Sequence, residues 1–540
     1  MASESAEVET LKNTRKKCIG RVRAGEWGSS MTQYVFIPDA GADPAIALAS
    51  LGTAATDSGT AMFRTVVAGA VLAESRDPSP GIVRGSGPTA PARVRKRPLR
   101  ILDVFEPTGV ALVAATGNRG KPEKVPGGTL HPVVNYRMAI AEPRAGRLRL
   151  ARSLGPAGGA MFSLRLRSSR DGSPVAGVVA QLRLKGSGQE IVAVSDAAGV
   201  VVFGLRAPAI SGAVLLVEPG LRAMWGYFDQ RADLASGDFV DLDPIDLALG
   251  PDVLRAFLRP GAATDGAGVR IGVIDSGVGP HRDLPNASGD TDTTHGHGTH
   301  VAGIIASQGP GPYAGIAPGA EIRSYRVFGD AAAGIARNYD IHKAIETAAS
   351  DGCHLINLSL KSEREMDPRF DDRVISRAIE DAAERGVLAI GAAGNDFRRF
   401  VAFPARHPDV LSVSAFGSEP NLPPHAYDRW TLSRDRASAN RDLYFANFSN
   451  QGVDGTQVDL TGPGAGIVST VPGDGYAPMS GTSMACPAAT GAIARLLSRR
   501  PAILAMPANR ARTQAMRAAA LATLSPMGFS ADFEGQGMVA

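Results

Sequence analysis

The chain has 540 residues, 44% of them apolar and 20% charged, which describes folded domains and is too long for one compact core, so two to four domains are expected. A net charge of +4 over that length is near balance and gives no reason to expect a nucleic-acid partner. No run of about 18 apolar residues occurs, so no membrane span is expected, and three cysteines (Cys18, Cys353, Cys486) neither frame a disulfide scaffold nor match a zinc spacing.

Residues 1–30 are polar and read as a loose N-terminus. They hold no apolar core of a signal peptide, which predicts a cytoplasmic chain as written, with a misplaced start or export by another route left open. Residues 31–145 predict a small α+β domain. It has a strand at Gln33–Ile37, an alanine-rich helix over Pro44–Leu51, strands at Ile101–Phe105 and Gly109–Ala114 about a Glu106-Pro107-Thr108-Gly109 turn, and a further strand at Val133–Met138. Its middle, 77–98, is rich in Pro, Gly and Ser and ends in Arg93-Val94-Arg95-Lys96-Arg97, a solvated linker. Between 160 and 220 the period changes to two, at Phe162, Leu164, Leu166 and then in runs at Val178–Leu184, Ile191–Val194, Val200–Leu205 and Val214–Val217. These short strands predict a β-sandwich, read as a binding or spacer module because it clusters no catalytic residue types.

From about 250 to 540 strands and helices alternate, which predicts an α/β fold with a doubly wound, mostly parallel sheet and helices on both faces. Apolar runs at Val269–Ile274, Ile322–Phe328, Leu355–Leu360, Val387–Ala392 and Val410–Ala415 are its strands, with helical spacing around Ile341–Ala348 and Val374–Ala382. In such sheets chemistry collects at the carboxyl ends of the strands. There the first run closes on Asp275-Ser276-Gly277, and the fourth runs into Ala393-Gly394-Asn395. His297-Gly298-Thr299-His300 opens a helix, and so does Gly481-Thr482-Ser483, where Gly481 lets the backbone turn sharply before the serine. A serine hydroxyl needs an imidazole to take its proton, the imidazole needs an acceptor to fix its tautomer, and the oxyanion needs donors in place beforehand. Asp275, His297, Ser483 and Asn395 supply those parts in the order Asp, His, Ser.

These four segments, with Gly315-Ile316-Ala317-Pro318, Ile356-Asn357-Leu358-Ser359-Leu360 and Phe403-Pro404-Ala405, resemble the signature segments of the subtilisin-like serine proteases over roughly 250–540. The resemblance implies a subtilisin-like fold and a serine endopeptidase acting on polypeptides through an acyl-enzyme. Asp275 would orient, His297 act as general base and then acid, Ser483 attack and Asn395 stabilise the oxyanion, with Ser359, Leu360, Lys361, Ala393 and Gly394 at the substrate. It also implies that 31–140 is similar to the prodomain of such proteases, with Val133-Val134-Asn135-Tyr136-Arg137 as its tail. Lys361 departs from the family's glycine, so specificity does not carry over, and residues 418–445 are longer than the family pattern and read as a rim loop.

No cofactor is required by this chemistry. His295, His297 and His300 are not a metal set, because no carboxylate ligands accompany them. A structural calcium at Asp283, Asp290 and Asp292 is the one metal left open, although no metal-loop spacing is met. The alternative reading is a latent protease fold that serves as a binding protein, its N-terminal domains selecting a partner.

Overall fold

In the computed structural model the described residues are 32–44, 46–47, 99–105, 107–115, 122–125, 127–140, 161–185, 189–329, 334–364, 367–438 and 442–539. The basic cluster at 93–97, the linker before it, Cys18 and most of the alanine-rich stretch lie outside them; Pro44, Ile46 and Ala47 are helical. The chain divides into two compact units, residues 1–133 and 134–540.

In the first unit, β1 (Thr32–Pro38), β2 (Leu99–Phe105), β3 (Val110–Ala115), β4 (Glu123–Val125) and β5 (Gly128–Pro132) form an antiparallel sheet in the order β2-β3-β1-β5-β4. Tyr34, Phe36, Ala111, Val113 and Leu130 make its core. The strand expected at Val133–Met138 is not part of this sheet. It is β6 (Asn135–Met138), and it pairs within the second unit.

After β6 the second unit carries two facing sheets. The first is made of β7 (Ser163–Ser168), β10 (Val200–Val202) and β13 (Phe239–Leu242), the second of β8 (Val179–Arg183), β9 (Glu190–Val194), β11 (Ala209–Glu218) and β12 (Tyr227–Ala235). Inward residues such as Phe162, Leu164, Ala180, Leu182, Val201 and Leu215 fill the space between them, as alternation requires. Strands β12 and β13 carry this module past residue 220. The region 418–445 is not a free loop. Part of it folds as the antiparallel pair β22 (Leu432–Ala437) and β23 (Leu443–Ala446), and the stretch before that pair receives the sandwich. Phe228 N–H donates to the His425 carbonyl and Tyr427 N–H to the Gly226 carbonyl, each at 2.9 Å. Tyr227 stacks on His425, and Phe228 meets Tyr427 and Trp430 edge-on.

The remainder is the expected α/β body. β14 (Arg270–Asp275), β15 (Ala287–Gly289), β16 (Glu321–Arg326), β18 (Leu355–Leu358), β20 (Leu388–Ala392), β21 (Val410–Ser418) and β24 (Leu460–Pro463) run parallel, and β23 joins β21 antiparallel, giving the order β15-β16-β14-β18-β20-β21-β23-β22 with β24 also on β21. All residues of β18, β20 and β21 are buried, as continuous apolar runs in a sheet covered on both faces must be. Helices α1 (Val253–Phe257), α2 (His297–Ala306), α3 (Asn338–Ser350), α4 (Arg373–Glu384), α5 (Thr482–Ser498) and α6 (Arg510–Leu521) accompany the sheet. The run expected at Leu355–Leu360 breaks at Ser359, and its end, β19 (Leu360–Ser362), leaves for a separate three-stranded sheet with β6 and β17 (Ile335–Arg337).

Candidate active site

Three neighbouring strands of the sheet, β14, β18 and β20, end at the site. β14 delivers Asp275, whose side chain is fully buried. One of its oxygens accepts the Ser276 N–H at 2.7 Å and the His297 Nδ1–H at 2.7 Å. A carboxylate partner makes Nδ1 the donor and leaves Nε2 as the basic nitrogen. That Nε2 is buried without a hydrogen-bond partner. His297 is the first residue of α2, tied to the strand end by Gly298 N–H donating to Ser276 Oγ at 3.0 Å.

β18 leads to Ser359 and α5 carries Ser483 in its first turn. Ser483 Oγ donates to the Ser359 carbonyl at 3.1 Å, and Ser359 Oγ returns a bond to the Ser483 carbonyl at 3.0 Å. Beneath them Asn357 donates to Ser359 Oγ at 2.9 Å and accepts from Thr490 Oγ1 at 3.0 Å and Cys486 Sγ at 3.2 Å. Burial pushes the Cys486 thiol up to about 12, so it stays protonated and donates.

β20 leads to Gly394 and Asn395. Gly394 has φ 107°, and a Cβ there would sit 2.5 Å from Asn450 Nδ2, so only glycine fits the turn that presents Asn395. Asn395 Oδ1 accepts from Thr482 N–H at 3.0 Å and Thr482 Oγ1 at 2.9 Å, which fixes the amide and turns its NH₂ outward.

What that NH₂ meets is the chain itself. Asn395 Nδ2 donates to the carbonyl of Ala139, which also accepts the Ser483 N–H at 3.1 Å. Ala139 N–H donates to the Ser359 carbonyl at 3.1 Å. Upstream, β6 lies as the middle strand between β17 and β19, antiparallel to both, with Tyr136 opposite Ala336 and Ser362 and Arg137 opposite Ile335 and Lys361. Asn338 N–H reaches the Val134 carbonyl and Glu363 N–H the Asn135 carbonyl, each at 2.9 Å. Residues 134–139 are thus held as an extended peptide along the site.

Of the residues expected at the substrate, Ser359, Leu360 and Lys361 line this peptide through backbone pairing. Ala393 and Gly394 bond instead to Val413, Ala402, Thr482 and Asn450 and brace the turn. The Lys361 ammonium is paired with Asp396, their side chains only 9% and 11% exposed, and Asp396 is held in turn by Asn450. The ammonium is therefore neutralised within the protein. Asn357, Thr482 and Asp396 were not singled out from the sequence.

Among the described residues no group of three or more His, Cys, Asp or Glu could hold a metal. Asp283, Asp290 and Asp292 are used internally. They accept from Tyr476 Oη, from Arg326 N–H at 2.9 Å, and from the Thr294, His295 and Gly296 N–H groups, respectively. His300 donates Nε2–H to the Ile467 and Ala477 carbonyls at 3.0 Å each, a packing role.

The subtilase family model (Peptidase S8) matches residues 266–538. Subtilisin Savinase of Lederbergia lenta is 31% identical over 245 residues, covering 44% of this chain and 78% of that one. The chain belongs to the subtilase family. The alkaline protease of Alkalihalobacillus alcalophilus is likewise 31% identical over 245 residues, 44% of this chain and 56% of its own, so this subtilase spans little more than half of that relative. The solved structure of the prenylagaramide maturation protease PagA is 27% identical, over 52% of this chain and 92% of that one, with a TM-score of 0.41. No helix among the described residues of this subtilase is long and apolar enough to cross a membrane.

The buried histidines of this subtilase give its stability a pH dependence. Burial, then the charge of His297, holds His300 down at about 3, and burial holds His342 at about 4. Both stay neutral when folded and take up protons when unfolded below about pH 6.5. Their stabilisation is therefore complete above that value and lost as pH falls towards 4 and 3. Asp372, raised by burial to about 6, works the other way, its contribution lost as pH rises through that value. Burial also lowers His354, to about 4, and His407, and raises Glu346, Asp381 and Asp428, so the readout is a difference: His342→Gln should make the urea midpoint of the Ser483→Ala chain fall less, or rise more, between about pH 7.5 and about pH 5. The same change in midpoint with and without His342 would contradict the assignment.

Proposed function

We propose that this subtilase is a serine endopeptidase that hydrolyses polypeptides through an acyl-enzyme, with Asp275, His297 and Ser483 as its triad and Asn395 with the Ser483 N–H as its oxyanion hole. The observation that carries the reading is the seat of the Ala139 carbonyl between those two donors, the place a scissile carbonyl takes. The Ser483 hydroxyl turns from the Ser359 carbonyl to the partnerless Nε2 of His297, gives up its proton and attacks the Ala139 carbon. Asp275 keeps the imidazole in the tautomer that can accept that proton and steadies the imidazolium. The oxyanion gathers on the oxygen already facing Asn395 Nδ2 and the N–H. His297 then protonates the Ile140 nitrogen as the amide bond breaks, and water, activated by the same imidazole, hydrolyses the Ala139 ester.

Substrates are extended polypeptides that lie, as residues 134–139 do, between β17 and β19. The chain's own first substrate is the Ala139–Ile140 bond, and residues up to 139 remain as a product in the cleft until displaced. Purified wild-type chain is therefore expected to carry a new N-terminus at Ile140 and to react with a fluorophosphonate at Ser483. An intact chain that takes no label and cleaves no peptide would overturn the proposal and favour a latent fold used for binding.

A further inference from the structure

Residues 134–139 report more than the position of a carbonyl. Counting back from Ala139, the fourth residue is Tyr136, which is fully buried although it lies on a short strand whose neighbours Asn135 and Arg137 are exposed. Its ring belongs to an apolar cluster with Leu360, Ile375 and Phe403. Its hydroxyl, however, donates to Asp372 Oδ2 at 3.0 Å. Asp372 is itself buried, held by Asn338 Nδ2 at 3.2 Å from each oxygen, and it caps α4 by accepting the Val374 N–H at 3.1 Å. The pocket thus has apolar walls and a carboxylate floor set where a phenol, and not a phenyl ring, ends.

We propose that Asp372, positioned by Asn338, is a specificity determinant that selects tyrosine over phenylalanine at the fourth residue before the cleaved bond. The inference rests on the endopeptidase reading, since the pocket selects substrates only if the tail traces a substrate's path. A phenylalanine fills the same walls but leaves a buried carboxylate oxygen short of one donor. A site built to bond a hydroxyl discriminates against the analogue lacking it far more strongly than a purely apolar pocket does. Burial, and then the nearby Asp372 charge, push the Tyr136 hydroxyl well above its ordinary value, so it keeps its proton and remains the donor.

Two measurements test this, one of them independent of turnover. In full-length Ser483→Ala protein, trypsin reaches the Arg137–Met138 bond only when the tail leaves its place between β17 and β19. Tyr136→Phe should speed that cut by roughly 10-fold, and Asp372→Ser, which retains a capping oxygen for α4, by a similar factor. The double variant should be no faster than either single one, because both remove the same bond. Rates unchanged in both single variants, or effects that simply multiply, overturn the proposal. In the active chain, the peptide Val-Asn-Tyr-Arg-Met-Ala-Ile should exceed its Phe counterpart in kcat/KM by about 10- to 100-fold, and Asp372→Ser should bring the ratio near one through loss on the Tyr peptide alone. A wild-type ratio near one, with both peptides cleaved, also overturns it. Failure to cleave either peptide is a failure of the endopeptidase reading, and the trypsin rates then decide the pocket alone.

Discussion

Ser483→Ala is expected to lower kcat by on the order of 10⁶, the scale that loss of the nucleophile sets in subtilisin itself. The substitution removes a hydroxyl whose bond is to the Ser359 carbonyl and leaves the Ser483 N–H, the Asn395 amide and the β17 and β19 pairing to hold residues 134–139 as before. What survives should be the smaller acceleration, about 10³–10⁴ over water, that binding and oxyanion donors supply without a nucleophile. Active-site labelling should vanish, and the chain should stay joined at Ala139–Ile140. Peptide hydrolysis within about 10-fold of wild type would show that another group attacks.

Asn395→Asp should lower kcat by at least roughly 10²–10³, the range known for removal of the matching donor in subtilisin. The choice of Asp isolates the donor. Asn395 Oδ1 accepts the Thr482 N–H and hydroxyl, and a carboxylate still can, so the first turn of α5 keeps its brace. Only the NH₂ aimed at the Ala139 carbonyl is lost, and a negative charge takes its place where the oxyanion must form. Asn395→Ala should slow the reaction comparably but also lower the melting temperature, since it leaves the Thr482 N–H without its partner. Steady-state kinetics on one peptide, with melting curves for both variants, separates the two effects. Unchanged kcat in the Asp variant would remove Asn395 from the reaction.

The parts of this subtilase that were legible in its sequence are those where chemistry and backbone demand the same few residues in a short span. Asp275 closes an apolar strand, Asn395 follows a glycine that no other residue can replace, and His297 and Ser483 open helices, so each stands out locally. The parallel sheet was legible for a similar reason, because strands covered on both faces are written as unbroken apolar runs. What stayed hidden depends on partners far away in the chain. Nothing in Asn135–Met138 shows that it pairs with 335–337 and 360–362 instead of the N-terminal sheet, since that register exists only after folding. Asp372 was not singled out because its partner Tyr136 lies 236 positions away in sequence. Lys361 looks like a loose charge until Asp396 neutralises it. Strand β12 escaped notice because Asp229, Gln230, Arg231 and Asp233 interrupt its alternation, one face being wet.

The bonds between β12 and the stretch before β22 decide what a cut after Ala139 would leave behind. The sandwich is stitched to the protease body by two backbone bonds and three ring contacts and would stay with Ser483. Its Leu221 sits so close to Gly296, one residue before His297, that a methyl group there would touch it at 3.0 Å. Maturation would therefore uncover the groove without stripping the enzyme to a bare core. Every incoming protein would meet a permanent shoulder of β-structure beside the imidazole.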